Sequence, residues 1–221
     1  MVSPAVERRA RRSHGTSNEA ILNMVLRAIE KRHIAGECLV DVGCGQADLY
    51  HFVRSRFSRY VGVDAARYEH LPEGAEFRQI DLDTARIPLP DESADVVTAV
   101  EVIEHLENPR DFVRKLVRLA KPGGWVIITT PNQLSLLSLL TLIVKHRFQA
   151  FQDVHYPAHL TALLEADLQR IAGECGLSQV EIGYTEDARI PLTAKHYPRM
   201  LTHRFPRRLS DNVLLIGRKS G

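Results

Sequence analysis

The segment from Val40 to Leu49 constrains the fold more than any other part of this chain, because a mostly apolar run passes directly into a Gly-Cys-Gly turn. The run Cys38–Val42 predicts a buried strand, and a helical pattern follows from Ala47. Glycines permit a tight turn and a close approach of the backbone to a ligand. Since open α/β sheets bind ligands at the carboxyl ends of their strands, this segment predicts a cofactor site.

The charges beside this turn favour a cationic ligand. A dinucleotide-binding turn has the pattern G-x-G-x-x-G and rests a diphosphate on the helix N-terminus. Here Asp48 stands at the third glycine position and Asp41 precedes the turn. Two carboxylates repel a diphosphate but attract an ammonium and a sulfonium, which are the charges of S-adenosylmethionine (SAM). We therefore predict SAM rather than NAD as the cofactor, bound by Asp41, Gly43, Cys44 and Gly45.

The length and composition of the chain are typical of a single compact domain. The 221 residues are 44% hydrophobic and 25% charged, which predicts a single domain at 17–221 after a flexible basic arm at 1–16. The net charge of +2 gives no reason by itself to expect nucleic-acid binding. Three cysteines without C-x-x-C spacing predict neither a disulfide framework nor a zinc site, and they favour a reducing, cytoplasmic location.

The longest apolar stretch runs from Leu134 to Val144 and is too short to span a bilayer. It predicts a buried or lid helix, with an interfacial helix as the alternative. The basic N-terminus lacks the apolar region of a secretory signal. We therefore expect no membrane span.

Hydrophobic periodicity predicts alternating strands and helices, which is typical of a doubly wound α/β fold. A first helix begins near Ser17, with Ser17 or Asn18 as its N-cap. Two closing strands without a helix between them predict an antiparallel hairpin at one edge of a seven-stranded, mostly parallel sheet. The predicted strands are Cys38–Val42, Tyr60–Val63, Glu76–Ile80, Ala94–Val100, Trp125–Thr130, Ser178–Tyr184 and Asn212–Gly217, and the later helices are Ala47–Ser55, Pro109–Leu119, Leu134–Val144 and Leu164–Cys175.

Five ordered motifs resemble those of the class I SAM-dependent methyltransferases, in particular the branch that contains the ubiquinone-biosynthesis O-methyltransferases. The resemblance covers about residues 36–184 and implies a Rossmann-like methyltransferase fold with a helical cap at about 134–175. It also implies that S-adenosylhomocysteine (SAH) is the product. The motifs are Val40-Asp41-Val42-Gly43-Cys44-Gly45, Val61-Gly62-Val63-Asp64, Asp81-Leu82-Asp83, Glu101-Val102-Ile103-Glu104-His105-Leu106 and Lys121-Pro122-Gly123-Gly124.

Further cofactor contacts are predicted at the ends of the next strands. Asp64 ends the second strand, where a carboxylate can accept hydrogen bonds from both ribose hydroxyls. The resemblance implies that Asp81 meets the adenine amino group and that Leu82 lies against the ring. Asp83 could supply the adenine contact instead, or the acids could simply form a turn. Glu101, at the end of the fourth strand, is expected beneath the methyl-transfer centre.

Glu101, Glu104 and His105 share one face if they lie on a helical turn. In one interpretation Glu101 shapes the SAM pocket and the other two are structural. In the other, all three bind Mg²⁺ or a similar ion, as the resemblance implies for some ubiquinone-pathway relatives and for small-RNA 3′-terminal ribose methyltransferases. Because the Glu-x-x-Glu-His pattern is also widespread in metal-free methyltransferases, we predict no metal site, and a divalent ion is the less favoured alternative.

Two histidines are candidate general bases, because imidazole titrates near neutral pH. They are His105 and His159, of which His159 is preferred. His155 is the alternative to His159. In the structural interpretation, one of the histidines 155 and 159 instead caps the following helix. A loop from Lys195 to Arg208 has five basic residues and no acid, which predicts either an anionic substrate clamp or a solvated loop.

These features predict a SAM-dependent methyltransferase that methylates a hydroxyl of a small molecule or glycan precursor. If the basic loop is an anionic substrate clamp, this substrate is anionic. One alternative is a metal-dependent RNA 3′-terminal ribose methyltransferase, although Leu160-Thr161 replaces the histidine-plus-acid motif of those enzymes. The other is a SAM-binding partner protein without catalysis.

Overall fold

A computed structural model describes residues 2, 4–12 and 15–221 of the chain. Within them, seven strands form one sheet in the order β3-β2-β1-β4-β5-β7-β6. Strands β1 to β5 are parallel, whereas β7 runs antiparallel to both of its neighbours, β5 and β6. The strands are Gly36–Val42 (β1), Phe57–Asp64 (β2), Ala75–Gln79 (β3), Ala94–Val100 (β4), Ala120–Pro131 (β5), Leu177–Tyr184 (β6) and Asn212–Lys219 (β7).

Helices cover both faces of the sheet, which confirms the doubly wound α/β fold with its antiparallel C-terminal hairpin. On one face, α4 and α6 pack over the strands around Phe112, Leu116 and Leu168. On the other face, α2 and α3 pack through a cluster that includes Val25 and Ile29. The α-helices are Pro4–Arg11 (α1), Glu19–Lys31 (α2), Leu49–Val53 (α3), Pro109–Leu119 (α4), Leu136–Lys145 (α5), Glu165–Glu174 (α6) and Arg199–Arg204 (α7).

Several element boundaries follow directly from local chemistry. The side chain of Asn18 accepts the backbone N–H of Ile21 and so caps α2, as one of the two predicted N-caps. Asn108 does the same for α4 by accepting the N–H of Asp111, and Pro109 fills the first helical position, where no N–H is needed. Strand β5 begins five residues earlier than the predicted Trp125.

The N-terminal arm contains a helix that the sequence analysis did not expect. Helix α1 is held by long-range contacts: Arg11 Nη2 donates to the carbonyl of Arg67 at 2.9 Å, and Tyr68 Oη donates to that of Ala10 at 3.3 Å. Such contacts are invisible to local periodicity. Flexibility of the arm at 1–16 stays a prediction, and its residues 1, 3, 13 and 14 lie outside the described residues.

Helix α5 lies at the surface, so the buried helix predicted at 134–144 is wrong, whereas the lid helix stays a prediction. Four of its apolar side chains are exposed, with Ile143 and Val144 at 72% and 75%, whereas Ser138 and Thr141 are buried. The polar side is turned inward because Ser138 Oγ accepts the N–H of Gln149 at 3.2 Å and Thr141 Oγ1 donates to Gln149 Oε1 at 3.0 Å. Within the described part of the chain, no helix is long and apolar enough to cross a membrane.

The segment after α5 approaches the carboxyl edge of the sheet through two short 3₁₀ turns, Gln149–Phe151 and Asp153–His155. Helix α6, which the sequence analysis placed in the cap, instead packs on the sheet with Leu168, Ile171 and Ala172 in the core. The residues that stand over the sheet edge are therefore those around 149–159.

A buried carboxylate joins three adjacent strands at the centre of the sheet. Asp41 on β1 accepts hydrogen bonds from Tyr60 Oη on β2 at 2.5 Å and from Thr98 Oγ1 on β4 at 2.7 Å. Asp41 is only 2% exposed, so both donors compensate the cost of removing its charge from water. The strand ends beneath the glycine turn are thereby tied together.

We expect Tyr60→Phe to lower the free energy of unfolding by about 1–3 kcal/mol, because the ring is kept while a buried carboxylate loses a donor. Urea denaturation measures the change. Tyr197→Phe is the matched control, since the structure records no hydrogen bond of the Tyr197 hydroxyl with any described residue. A loss for Tyr60→Phe no larger than for the control would contradict the importance of this bond.

Candidate functional site

The glycine turn after β1 has a backbone that other residues cannot replace. Gly43 and Gly45 have φ values of +78° and +53°, in the left-handed region that favours glycine. A Cβ on Gly43 would lie 2.2 Å from Val102 Cγ2, and one on Gly45 would lie 2.1 Å from the carbonyl oxygen of Gly15. The turn is therefore packed on both sides, and its shape is set before a ligand binds.

A cavity of about 360 Å³ opens at this turn, over the carboxyl edge of the sheet. It is lined by four of the predicted cofactor residues of the turn, Asp41, Gly43, Cys44 and Gly45, and also by Asp48. Burial raises the pKa of Asp41 to about 6, against the lowering effect of its hydrogen bonds from Tyr60 and Thr98. At neutral pH the cavity wall is accordingly anionic, which suits a sulfonium ligand.

Asp64 has a second role that the sequence did not show. Its Oδ2 accepts the N–H of Gly45 and its Oδ1 accepts the N–H of Ala66, both at 2.9 Å. Burial raises its pKa, and these two backbone bonds oppose the rise. Asp64 therefore holds the glycine turn in place while it lines the cavity, and each oxygen retains a lone pair that can accept a ribose hydroxyl.

A smaller cavity of about 80 Å³ adjoins the first and shares Gly43, Asp64, Glu101 and His105 with it. Asp81 and Leu82, the predicted adenine contacts, line it, as does Asp83. The Asp81 carboxylate also holds a turn by accepting from the N–H of Asp83 and the hydroxyl of Thr84. The turn is therefore observed, and the adenine contact of Asp81 stays a prediction that the turn does not exclude, because a carboxylate can accept more than two hydrogen bonds.

Helix α1 forms the outer wall of this smaller cavity through Val6 and Ala10. The loop after α1 crosses the glycine turn, where Gln46 N–H donates to the carbonyl of Gly15 at 2.8 Å. Arg12 and Thr16 line the larger cavity. The sequence analysis did not predict that any of these residues lines the site. The only local signals for such a role were the small residue Gly15 and the apolar residues Val6 and Ala10.

Glu101 lies between the two cavities and has a left-handed backbone, with φ +55°. Its carboxylate accepts from Thr129 Oγ1 at 2.8 Å and from Asn212 Nδ2 at 2.7 Å. Burial raises its pKa, and the neighbouring Glu104 raises it further. A strained backbone of this kind is maintained only when surrounding contacts hold it, which is common at functional sites.

Three histidines meet at the rim of the larger cavity. The ring centroids of His105 and His159 are 4.7 Å apart, and those of His155 and His159 are 5.4 Å apart. Burial, followed by the charge of His105, lowers the pKa of His159 to about 4. His159 is neutral at physiological pH, and the two predicted bases are direct neighbours.

The tautomers of two of these rings follow from their partners. His105 Nδ1 lies 2.8 Å from the carbonyl of Ala158, and His159 Nδ1 lies 2.6 Å from that of Ala150. A carbonyl oxygen can only accept, so each Nδ1 carries the hydrogen and each neutral ring has its lone pair on Nε2. This arrangement, a histidine oriented by a backbone carbonyl, is common among metal ligands and general bases.

Glu104 completes the cluster. It is fully buried, Thr130 Oγ1 donates to its Oε2 at 3.0 Å, and its Oε1 makes no hydrogen bond with the described residues. One ligand atom from each of Glu104, His105 and His159 lies within 4.8 Å of the others. A carboxylate and two imidazoles suit a borderline divalent ion, so these three residues could hold one, with Glu101 oriented by other partners.

The basic loop does not reach this site. None of its five basic residues, among the described contacts, lines either cavity at the glycine turn. Arg207 pairs with Glu165, Arg208 donates to the carbonyl of Leu134, and Arg199 lines a separate cavity beside α2. The anionic clamp therefore lacks support from the structure.

Comparison with known proteins agrees with this geometry. A family model described as a methyltransferase domain matches residues 12–182. The chain belongs to this methyltransferase family. SAM is thus its cofactor and SAH the product, and the acidic glycine turn supplies the matching charge.

Individual relatives are more distant. A ubiquinone biosynthesis O-methyltransferase of Pseudomonas fluorescens is 34% identical over 113 residues, which are 47% of this chain and 48% of that protein. The chain thus matches about half the length of such curated relatives. A chain of the complex that contains the Haloferax volcanii Trm112 methyltransferase activator superposes with a TM-score of 0.67 at 17% identity, covering 100% of this chain and 98% of that one.

A SAM-dependent methyltransferase of Archaeoglobus fulgidus has a TM-score of 0.61 at 20% identity, covering 90% of this chain and 94% of that one. Identities this low show the shared fold alone. The acceptor has to be inferred from the chain's own residues.

We expect SAM affinity to fall as the pH is lowered through 6, because only ionised Asp41 attracts the cationic ligand and burial raises its pKa to about 6. At pH 5 about one molecule in ten carries the ionised carboxylate, so the apparent Kd should be about tenfold higher than at pH 7.5. Isothermal titration calorimetry measures this. Asp41→Asn should bind more weakly and nearly independently of pH; an equal pH dependence in this variant would assign the effect to other groups.

Proposed function

We propose that this methyltransferase transfers a methyl group to a hydroxyl of a small molecule or glycan precursor. The observation that carries the proposal is the neutral His159, whose Nε2 lone pair lies at the rim of the SAM cavity. The partial match to ubiquinone biosynthesis O-methyltransferases supports oxygen as the accepting atom.

Bound SAM supplies an electrophilic methyl group on a positively charged sulfur, which the acceptor oxygen displaces to leave SAH. The glycine turn and Asp64 would hold the cofactor, and the carboxylate of Asp41 would attract its positive charge. His159 Nε2 takes the hydroxyl proton as the oxygen–carbon bond forms. Because its pKa is lowered to about 4, His159 is a weak base, and alignment of the two reactants contributes most of the rate.

The test combines binding with turnover. Calorimetry should show binding of SAM and SAH and none of NAD, and radiolabelled SAM should transfer its methyl group to a hydroxylated acceptor in a compound panel. His159→Ala should lower kcat about a hundredfold and change SAM affinity far less, since a general base acts on the acceptor. His70→Ala, at an exposed histidine outside the site, is the control.

Two results would contradict the proposal. SAM binding without turnover on any acceptor would favour a non-catalytic SAM-binding protein. Transfer to an amine or a carbon in preference to every hydroxyl would leave the methyltransferase in place and remove the hydroxyl acceptor.

A second candidate, metal-assisted methyl transfer, is favoured by the cluster of Glu104, His105 and His159. The Glu104 Oε1 atom is buried without a hydrogen bond among the described residues, and burial raises the pKa of this carboxyl group. A cation beside it would stabilise the ionised form. A divalent ion held there would lower the pKa of an acceptor hydroxyl. His159, with its Nε2 lone pair on the ion, would not act as the base, and the hydroxyl proton would pass to solvent. An RNA 3′ end as the acceptor has less support, because the basic loop is directed away from the cleft.

The metal candidate predicts that Mn²⁺ binds the isolated protein and that Glu104→Gln weakens this binding by at least about tenfold. Calorimetric titration with Mn²⁺ gives a readout that does not depend on turnover, and Glu69→Gln, at an exposed glutamate, is the matched control. Full activity in the presence of a chelator, together with no Mn²⁺ binding, would leave only the metal-free mechanism.

A further inference from the structure

The wall of the larger cavity at the glycine turn is rich in carboxyl groups. Five of them line it, those of Asp41, Asp48, Asp64, Glu101 and Glu104. Ionised carboxylates attract the sulfonium and ammonium groups of SAM, but SAM also has an α-carboxylate, which they repel. Binding of the whole cofactor therefore needs a positive group at another part of the cavity.

The backbone of the glycine turn does not offer a site for this carboxylate. The N–H groups of residues 43–47 all donate inside the protein. Four of them donate to backbone carbonyls at 2.6–3.2 Å, and that of Gly45 donates to Asp64 Oδ2 at 2.9 Å. Turns and helix ends that bind anions do so through N–H groups that point at the ligand. The turn therefore has no N–H left for the anionic end of the cofactor.

The histidines at the rim do not supply a positive charge either. Burial lowers the pKa of His155 and of His159, so both rings are neutral at physiological pH. His105 and His159 each direct the Nδ1 hydrogen to a backbone carbonyl, which leaves a lone pair on Nε2 of the neutral ring. Because a lone pair repels an anion, these two rings suit a hydroxyl proton and not a carboxylate.

Arg12 provides the positive group of this cavity. Among the described residues that line it, Arg12 alone carries a guanidinium or ammonium group. The structure records no ion pair or hydrogen bond of that guanidinium with any described residue. The neighbouring Arg11, by contrast, pairs with Glu7 at 2.8 Å and donates to the carbonyl of Arg67 at 2.9 Å. The planar fork of Arg12 can therefore form two parallel hydrogen bonds with a carboxylate.

Contacts of Gly15 hold this part of the chain at the cavity. Its carbonyl accepts the N–H of Gln46 at 2.8 Å, and a Cβ at Gly15, where φ is +62°, would lie 2.4 Å from Tyr68 Cζ. The chain therefore passes between the Tyr68 ring and the glycine turn at a fixed point. Arg12 precedes that point and Thr16 follows it, and both line the cavity.

We propose that Arg12 binds the α-carboxylate of SAM and of SAH, while the acidic wall receives the positive groups of the cofactor. The basic arm is then part of the cofactor site, and the choice among adenosyl ligands depends on charges of both signs. This role of Arg12 goes beyond the proposed function, because it does not depend on which acceptor is methylated.

Isothermal titration calorimetry on the full chain separates the carboxylate from the rest of the cofactor. The ligands are SAM, SAH and decarboxylated SAM, which keeps the adenosyl group, the sulfonium and the amine but lacks the α-carboxylate. Arg12→Met should raise the Kd of SAM and of SAH at least about tenfold, because a charge-assisted pair is lost. The Kd of decarboxylated SAM should not rise, because a guanidinium only repels this cation.

Arg8→Met is the matched control, since Arg8 is an exposed arginine of α1 that lines neither cofactor cavity. All three ligands should bind this variant as they bind the unaltered protein. Arg12 is exposed as well, so its replacement leaves no gap in the core. Undiminished binding of decarboxylated SAM also reports that Arg12→Met is folded.

A loss of SAM and SAH affinity confined to Arg12→Met, with binding of decarboxylated SAM retained, would support the carboxylate contact even if no hydroxyl acceptor is methylated. That combination would count against the proposed function alone. An unchanged Kd of SAM in Arg12→Met, or an equal loss for SAM and decarboxylated SAM, would overturn the contact. An equal loss of SAM affinity in Arg8→Met would overturn it too, because the effect would then belong to the charge of the whole arm.

Discussion

The buried carboxylate of Asp41 is the interaction on which the rest of the structure depends. It is placed inside the sheet, where an uncompensated charge would be destabilising, and Tyr60 and Thr98 on the flanking strands stabilise it. The same charge lies directly below the glycine turn. One side chain thus ties three strands together and places a negative charge at the cavity. If Asp41 meets the cofactor as predicted, a bound sulfonium would compensate part of the cost of its burial.

Hydrogen bonds hold both the residues around the cofactor cavities and the histidine cluster beside them. Asp64 holds the turn, and Asn212 donates to Glu101, which lies between the two cofactor cavities. The histidine cluster lines the larger cavity, and backbone carbonyls orient the rings of His105 and His159. The segment 149–159 supplies those carbonyls and is itself held by the inward polar side of α5. The cavity at the glycine turn and the histidine cluster are thus positioned by a few shared elements.

Local sequence signals predicted the parts of this structure that local chemistry determines. The bounds of β4 and α4, the Asn18 cap and the glycine turn agree with the structure because apolar periodicity and capping residues specify them. Of the predictions for α5, the buried helix was wrong, because the inward polar side of the helix depends on hydrogen bonds of Ser138 and Thr141 with Gln149. The wall formed by α1 and the bond of Asp64 to Gly45 likewise arise from contacts between distant segments, which periodicity does not encode.

The position of β7 in the sheet has a consequence for where this protein can be divided. The matched family region ends at residue 182, yet β7 at Asn212–Lys219 lies between β5 and β6 and supplies Asn212 to Glu101. A fragment trimmed to 12–182 would leave two strand edges without their shared partner and would also lack Val6 and Ala10, which line the smaller cavity. The segments on either side of the matched region therefore complete both the sheet and the cavity.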